Sequence, residues 1–510
     1  MASAGKGTIS TLAKKAKSVW KTFFSKTESP REIQERNDLY KIALATTFRK
    51  LRLDYSAYSK GQDEGGSDSG DGDDILSSFS TKKTTSGGGG GSVSGNGNCN
   101  RNEDVILCRN ETTKAELETL YDRAADSLET EMKLYEMPLR ALRHHCQSLI
   151  QPQAINLLTK CREIDTNYNF QHGYYDDEVD ANAKVDVDGD EHTHKMEKIC
   201  KGFLLQERED VLGAIEHHSH SSANNNKSTK YLRQKLEALQ IISAFYEWEN
   251  DYLTAGEGSD SLEEGKADAF GYYMNQDEEI NKSIRYYQMI NLTKALLIKK
   301  HLGYAPLALN STAQGAGRGV FLDGFAPAGS LISFFPGRIW PKEYLLNVKA
   351  ASAIFENDPK QQLSLRYDDT LVDSRKAPYT VLDDVNSNAF SVGHIVNHPP
   401  QLTLPNCSTT MIDFMEHMEL DKVGLGDYIP NTYVKPPMMF GPNAMDREKV
   451  SMHSFGLIAS RDLENEELFY DYLLSPGAGA GGESESESDH PSWYHVCDEE
   501  SLKNRWDSSS

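Results

Sequence analysis

Three short stretches hold residue types that could do chemistry. Asn465–Tyr472 reads Asn-Glu-Glu-Leu-Phe-Tyr-Asp-Tyr and follows an apolar run, Phe455–Ser460, and a turn-like Arg461-Asp462-Leu463-Glu464. It delivers Tyr470 and Tyr472 at the end of the last patterned element, where a phenol either orients a reacting group or caps a core. Gly315-Ala316-Gly317-Arg318-Gly319-Val320-Phe321 supplies glycines that let a backbone approach a ligand closely or take positive φ. Val396-Asn397-His398, followed by Pro405-Asn406, offers an amide that both donates and accepts, beside an imidazole, in a proline-rich loop. Singly these are a turn, a loop and a core aromatic; their order and spacing make the case.

Several other chemistries are excluded. The glycine run lacks the Gly-Lys-Ser/Thr of a phosphate loop. It is also not preceded by a strand and followed by a helix, as a dinucleotide fingerprint requires. Glu466 and Glu467 are adjacent, so on a strand they face opposite ways and cannot form a hydrolytic carboxylate pair. In Asp186-Val187-Asp188-Gly189-Asp190, a calcium loop with Gly189 at its sixth place would have Lys184 and Lys195 as first and last ligands, and neither can coordinate. The seven cysteines are nowhere closer than nine residues apart, which leaves no Cys-x-x-Cys pair. His217-His218-Ser219-His220 is dense in imidazole but has no cysteine or helical histidine pair beside it. No metal site is therefore expected.

The elements that must position these groups change character near residue 303. Residues 1–59 read as a basic amphipathic segment: Ile9, Leu12, Ala13, Ala16, Val19, Trp20 and Phe23 recur at helical spacing, and six lysines precede the first acid, Glu28. Such a helix suits a membrane surface, a partner or a mitochondrial address. Ser29-Pro30 breaks it, and a second helix is expected over 32–52. Residues 60–110 are a low-complexity linker. Residues 111–302 are helical with acidic and polar insertions, with helices expected around 112–136, 139–158, 232–245 and 284–302. From 303 to 474 short apolar runs alternate with Gly, Pro and Asp: 319–322, 330–335, 363–366, 370–373, 411–414 and 450–460. Residues 475–510 read as a disordered acidic tail. The expected class is α+β, a helical N-terminal region followed by a β-fold of short strands.

The net charge of −23 over 510 residues argues against direct nucleic acid binding. The hydrophobic fraction of 38%, with 38 glycines and 18 prolines, is low for a fully packed chain. No apolar run reaches the ~18 residues of a transmembrane helix. An odd, scattered cysteine set suits reduced thiols in an intracellular compartment, with nucleus, cytoplasm and mitochondrion all open.

In combination, the Gly-x-Gly entry to the β region, the Phe335-Pro336-Gly337 turn, the Val392–His398 segment and Glu466-Glu467-Leu468-Phe469-Tyr470-Asp471-Tyr472 resemble the SET domain of protein lysine methyltransferases. Arg461–Leu468 is similar to that family's Arg-Asp-Ile-x-x-Gly-Glu-Glu-Leu stretch, one residue shorter. Within the family the chain looks most like a divergent type, a likeness to which Tyr428-Ile429-Pro430-Asn431 adds. The family's Asn-His-Ser-Cys-x-Pro-Asn stands here as Asn397-His398-Pro399-Pro400 with Pro405-Asn406 displaced. Only Cys497 follows the domain, so the zinc-bound segment that closes many members is absent; the 304–310 stretch or the tail after Ser475 must serve instead.

The resemblance implies a SET-type fold over 303–474 and methyl transfer from S-adenosyl-L-methionine to a lysine of a protein substrate. It assigns the catalytic role to Tyr472, cofactor binding to Gly317, Arg318, Gly319, Asn397 and His398, and a substrate-channel wall to Tyr470. Asp471 would brace the local fold. A strongly acidic chain suits a substrate lysine in a basic segment. The alternative is a catalytically inactive SET-fold interaction module or adaptor.

Overall fold

The computed structural model describes residues 29–63, 119–120, 122–124, 126, 137–168, 188–220, 229–240, 289–342, 363–375, 388–433, 450–474 and 493–506. The expected N-terminal amphipathic helix, the low-complexity linker beyond Asp63, most of 112–136 and the start of the acidic insertion lie outside these residues.

The first described helix, α1 (Pro30–Asp63), begins at the Ser29-Pro30 break, slightly ahead of the expected 32, and runs well past the expected 52 into the start of the stretch read as a linker. Ser29 N donates to Glu32 Oε2 at 2.8 Å, and Glu32 N donates back to Ser29 Oγ at 3.3 Å. This reciprocal cap satisfies two orphan donors of the first turn, with proline at a position that needs no N–H. Next come α2 (Leu139–Tyr168) and α3 (Asp188–His220), then helical residues 229–240 and 289–302. The last helix breaks at Gly303, whose φ of 81° favours a residue without Cβ. Its N–H returns to the Lys299 carbonyl at 2.7 Å, and the chain enters β1 (Tyr304–Asn310).

Of the ten strands among the described residues, six fall on the predicted runs, and β1, Gly337–Trp340, Asn431–Tyr433 and Leu463–Glu464 lie outside them. β1 pairs antiparallel along β2 (Arg318–Ala326), which carries β10 (Leu463–Glu464) at its far end. A second sheet orders β3 (Leu331–Phe334), β9 (Val450–Ala459) and β7 (Cys407–Met415). A third orders β5 (Leu363–Leu365), β6 (Leu371–Asp373), β4 (Gly337–Trp340) and β8 (Asn431–Tyr433). The class is α+β, as expected.

The switch at 303 changes the element type without breaking the packing. One apolar core runs from Ile42 and Phe48 on α1, through Leu142, Ile150 and Leu157 on α2, to Val320, Ile332, Phe334 and Leu457 in the sheets. Polar contacts join the same halves. Gln147 on α2 donates to the Met411 carbonyl at 2.7 Å and accepts from Asp413 N at 3.0 Å, and Gln151 donates to the Asp413 carbonyl at 2.7 Å. These glutamines supply partners for the outer edge of β7, whose main-chain groups would otherwise be buried unpaired. Lys235, from the helix over 229–240, sits between Glu207 and Asp323, with Asp323 at 2.7 Å, and so ties the helices to β2. Among the described residues, no helix is long and apolar enough to cross a membrane.

Candidate functional site

The final stretch, 465–472, is held on both sides. Toward β2, Leu322 N donates to the Glu466 carbonyl at 2.8 Å and Leu468 N to the Val320 carbonyl at 2.7 Å. Toward the loop 396–406, Phe469 pairs in parallel with Asn397, and Tyr470 N donates to the Asn397 carbonyl at 3.2 Å. Asn406, buried, works as a main-chain surrogate: its Nδ2 donates to the Glu467 carbonyl at 2.8 Å, and its Oδ1 accepts from Phe469 N at 2.7 Å. Asn465 and Leu473, both with positive φ, bracket the stretch. Every sequence-predicted site residue lies on this stretch or on one of the two segments paired with it.

The glycine segment turns β1 into β2. Ser311 N donates to the Gly317 carbonyl at 2.8 Å, closing the loop. Gly315 and Gly317 have φ of 77° and 68° and are exposed, with open space where a Cβ would stand. Gly319 is the opposite case: a Cβ there would lie 2.4 Å from Glu467 Oε1 and 2.9 Å from Asn397 Nδ2. Glu467, buried, spans from the final stretch to the loop. It accepts from Ser311 Oγ at 2.5 Å, from Thr312 N at 2.8 Å and from the Thr312 hydroxyl. Glu466 points the other way, to Arg461 at the surface, so the pair divides as strand alternation requires.

Asn397 Nδ2 donates to the Arg318 carbonyl at 2.9 Å, which joins the amide to the glycine loop. The Tyr472 hydroxyl donates to the Val396 carbonyl at 2.9 Å. Burial pushes this phenol up to about 12, so it is a neutral donor at physiological pH. Tyr470 lies against Tyr472, with centroids 4.9 Å apart, and edge-on to Phe335 at 5.6 Å. Burial likewise raises the Tyr470 phenol well above its ordinary value. Phe335 in turn packs on Phe455, so the tyrosine pair rests on an aromatic floor.

The expected disordered tail, 475–510, contains an ordered piece over 493–506 that folds back onto the site. Its apolar rings are what the acidic, serine-rich composition hides. Tyr494 lies tilted against His398 with centroids 4.5 Å apart, the Trp493 ring stands 6.2 Å from that of Tyr472, and the Tyr494 hydroxyl donates to Asp471 Oδ1 at 3.4 Å. Beyond it, α4 (Glu499–Trp506) places Arg505 over the Tyr367 ring and against the Leu365 carbonyl at 2.6 Å. Of the two stretches expected to close the site, the tail therefore covers it, while Tyr304–Asn310 is a strand of the sheet. Asp471 braces its own turn, accepting from Leu473 N at 3.1 Å.

His398 is buried. Its Nε2 donates to the His495 carbonyl at 2.8 Å, and its Nδ1 accepts from Tyr472 N at 3.4 Å. Burial pulls the imidazole down to about 4, so the ring is neutral. Burial, with Asp471 beside it, pushes the Cys497 thiol up to about 12. His217 is exposed at the end of α3; the side chains of His218 and His220 lie outside the described residues.

Sequence reasoning did not find Glu467 as a brace, Asn406 as a clamp, or Trp493, Tyr494 and His495 as a cover. The displaced Pro405-Asn406 was the signal for the second. Among known proteins, no family model matches the chain and no curated protein matches it.

Proposed function

We propose that this chain is a SET-type, S-adenosyl-L-methionine-dependent protein lysine methyltransferase. The observation that carries the reading is the joining of three separated motifs at one place: Asn397 holds the glycine loop through Arg318, and the same loop segment receives the Tyr472 hydroxyl one residue earlier, at Val396.

The residues present suit the cofactor. Gly315 and Gly317 leave room over an exposed, left-handed backbone, where the amides around Gly317, Arg318 and Gly319 would hold the methionine portion. With Nδ2 committed to Arg318, the Oδ1 of Asn397 is the atom left to accept from the cofactor's amino group. The His398 main chain would meet the adenine edge. When bound, S-adenosyl-L-methionine supplies a methyl on a sulfonium, transferred in line to an attacking amine as the C–S pair returns to sulfur.

The protein's part is alignment and desolvation. A substrate lysine, with a free pKa of about 10.4, must arrive neutral, and an aromatic channel of Tyr470, Tyr472 and Phe335 disfavours its charged form. The neutral Tyr472 hydroxyl, fixed on a main-chain carbonyl, gives the reaction centre a preorganised polar group. Binding of a basic segment is favoured by the −23 charge of the chain.

Calorimetry of S-adenosyl-L-methionine with the full chain and with Asn397→Ala and Tyr472→Phe tests this. Binding lost in the first variant and kept in the second, with labelled methyl appearing on lysine of a basic peptide library only for the unmodified chain, is the expected result. A folded, unmodified chain that binds no cofactor points to the inactive interaction module instead.

A further inference from the structure

His398, His495 and Cys497 come from two segments far apart in sequence, yet their donor atoms all lie within 4.8 Å of one another. Cys497 Sγ stands 3.9 Å from His398 Nε2 and 3.8 Å from His495 Nε2. Zinc bonds of about 2.0–2.3 Å in tetrahedral geometry separate such ligands by roughly 3.3–3.8 Å, so the two sulfur–nitrogen distances are already close to those of a filled site. Two of the donors are only half-buried, which leaves an approach from solvent.

We propose that these three side chains form a binding site for a zinc-class divalent cation, which fastens the 493–506 segment onto the Asn397–His398 loop. Two imidazoles and a thiol are a borderline-soft set that suits zinc and not calcium or magnesium.

Uptake requires two proton changes. Cys497 gives its thiol proton to solvent and binds as thiolate. His398 now carries its proton on Nε2, pointed at the His495 carbonyl; to coordinate, it moves that proton to Nδ1 and gives up both this bond and the 3.4 Å bond that Nδ1 accepts from Tyr472 N. Asp471 Oδ1 waits 3.8 Å from Nδ1, and a carboxylate behind a metal-binding imidazole is the usual means of fixing that tautomer. The dication, one thiolate and one neighbouring carboxylate then sum to zero charge, so the half-buried assembly is balanced. The fourth position is open to water. This site stands on its own geometry and does not depend on the methyl-transfer reading.

The test loads the reduced full chain with cobalt(II), then zinc(II). The expected result is one cobalt per chain with a thiolate-to-cobalt charge-transfer band, displaced by zinc, and one proton released per metal in calorimetry across buffers. Cys497→Ser abolishes the band while its metal-free melting curve matches that of the unmodified chain. Asp471→Asn weakens binding about 10–100-fold. A band that persists in Cys497→Ser, or metal bound with no thiolate band (the signature of the His217–His220 run), overturns the proposal. So does a chain that takes up no metal.

Discussion

The Tyr472 hydroxyl and the Val396 carbonyl are 2.9 Å apart, and this bond anchors the end of the 465–472 stretch to the loop that carries Asn397. Because burial holds the phenol up to about 12, Tyr472 serves as a donor and not as a base below that pH. Tyr472→Phe removes one neutral hydrogen bond, at a cost of about 1 kcal/mol, and leaves the ring packed against Tyr470. The expected outcome is a fall in methyl transfer on the order of a hundredfold with cofactor affinity unchanged, read by single-turnover transfer beside calorimetry.

The three loop glycines differ in what a side chain would meet. At Gly319 a Cβ collides with Glu467 and Asn397. Glu467 cannot swing away without dropping Ser311 and Thr312, so Gly319→Ala is expected to destabilise the fold and, on the proposed reading, to abolish S-adenosyl-L-methionine binding. At Gly317 the only penalty is the left-handed backbone, roughly 1–2 kcal/mol, since the space is open. Gly317→Ala is expected to fold with a modestly lower melting temperature. Urea unfolding of the two variants separates the cases.

Arg366 is buried with its guanidinium on Asp413 Oδ1 at 2.6 Å, Asp368 Oδ2 at 2.9 Å and the Ser454 carbonyl at 2.5 Å, and His453 Nδ1 lies 2.7 Å from Asp413. Burial opposes ionisation of Asp413, but the Arg366 charge and the His453 bond outweigh it and hold the carboxyl well below its ordinary value. A depressed carboxyl contributes stability that is fully present above its unfolded pKa of about 3.9 and is lost as pH falls from there through the folded value. Asp413→Asn is expected to cost about 3–5 kcal/mol at neutral pH, because it weakens the pairing of a buried cation. It should also flatten the decline in stability below pH ~4; thermal melts across that range check both.

Six of the ten described strands were legible because each of those apolar runs sits between breakers. The 330–335 run became Leu331–Phe334, and the 450–460 run became Val450–Ala459. Ser29-Pro30 was legible as a break, and the structure shows that it also caps the helix that follows. What the sequence hid were contacts without local pattern. Glu467 reaches Ser311 across 156 positions, and no periodicity encodes that. Glutamines on α2 look like solvent-facing residues until an unpaired strand edge lies beside them. In the tail, one aromatic pair in an acidic, serine-rich segment outweighs the composition around it, because His398 and Tyr472 offer it a surface.

Asn406 is where a weak motif turns out to matter most for the architecture. Its side chain takes the place of a missing strand, bonding the Glu467 carbonyl and Phe469 N at 2.8 and 2.7 Å in a buried setting. Asn406→Ala leaves the amide and the carbonyl without these bonds, and each buried group left unsatisfied costs about 1–3 kcal/mol. The Phe469 carbonyl keeps its bonds from Asn406 N and Cys407 N, both at 3.0 Å, so the main-chain link between loop and strand survives and the chain folds. The strand then shifts in its seat, and with it Tyr470 and Tyr472. The expected result is a loss of stability of about 2–4 kcal/mol in urea, with hydrogen exchange accelerated first over 466–472 and methyl transfer reduced. Unfolding and exchange indistinguishable from the unmodified chain would show that the main-chain bonds alone hold the stretch.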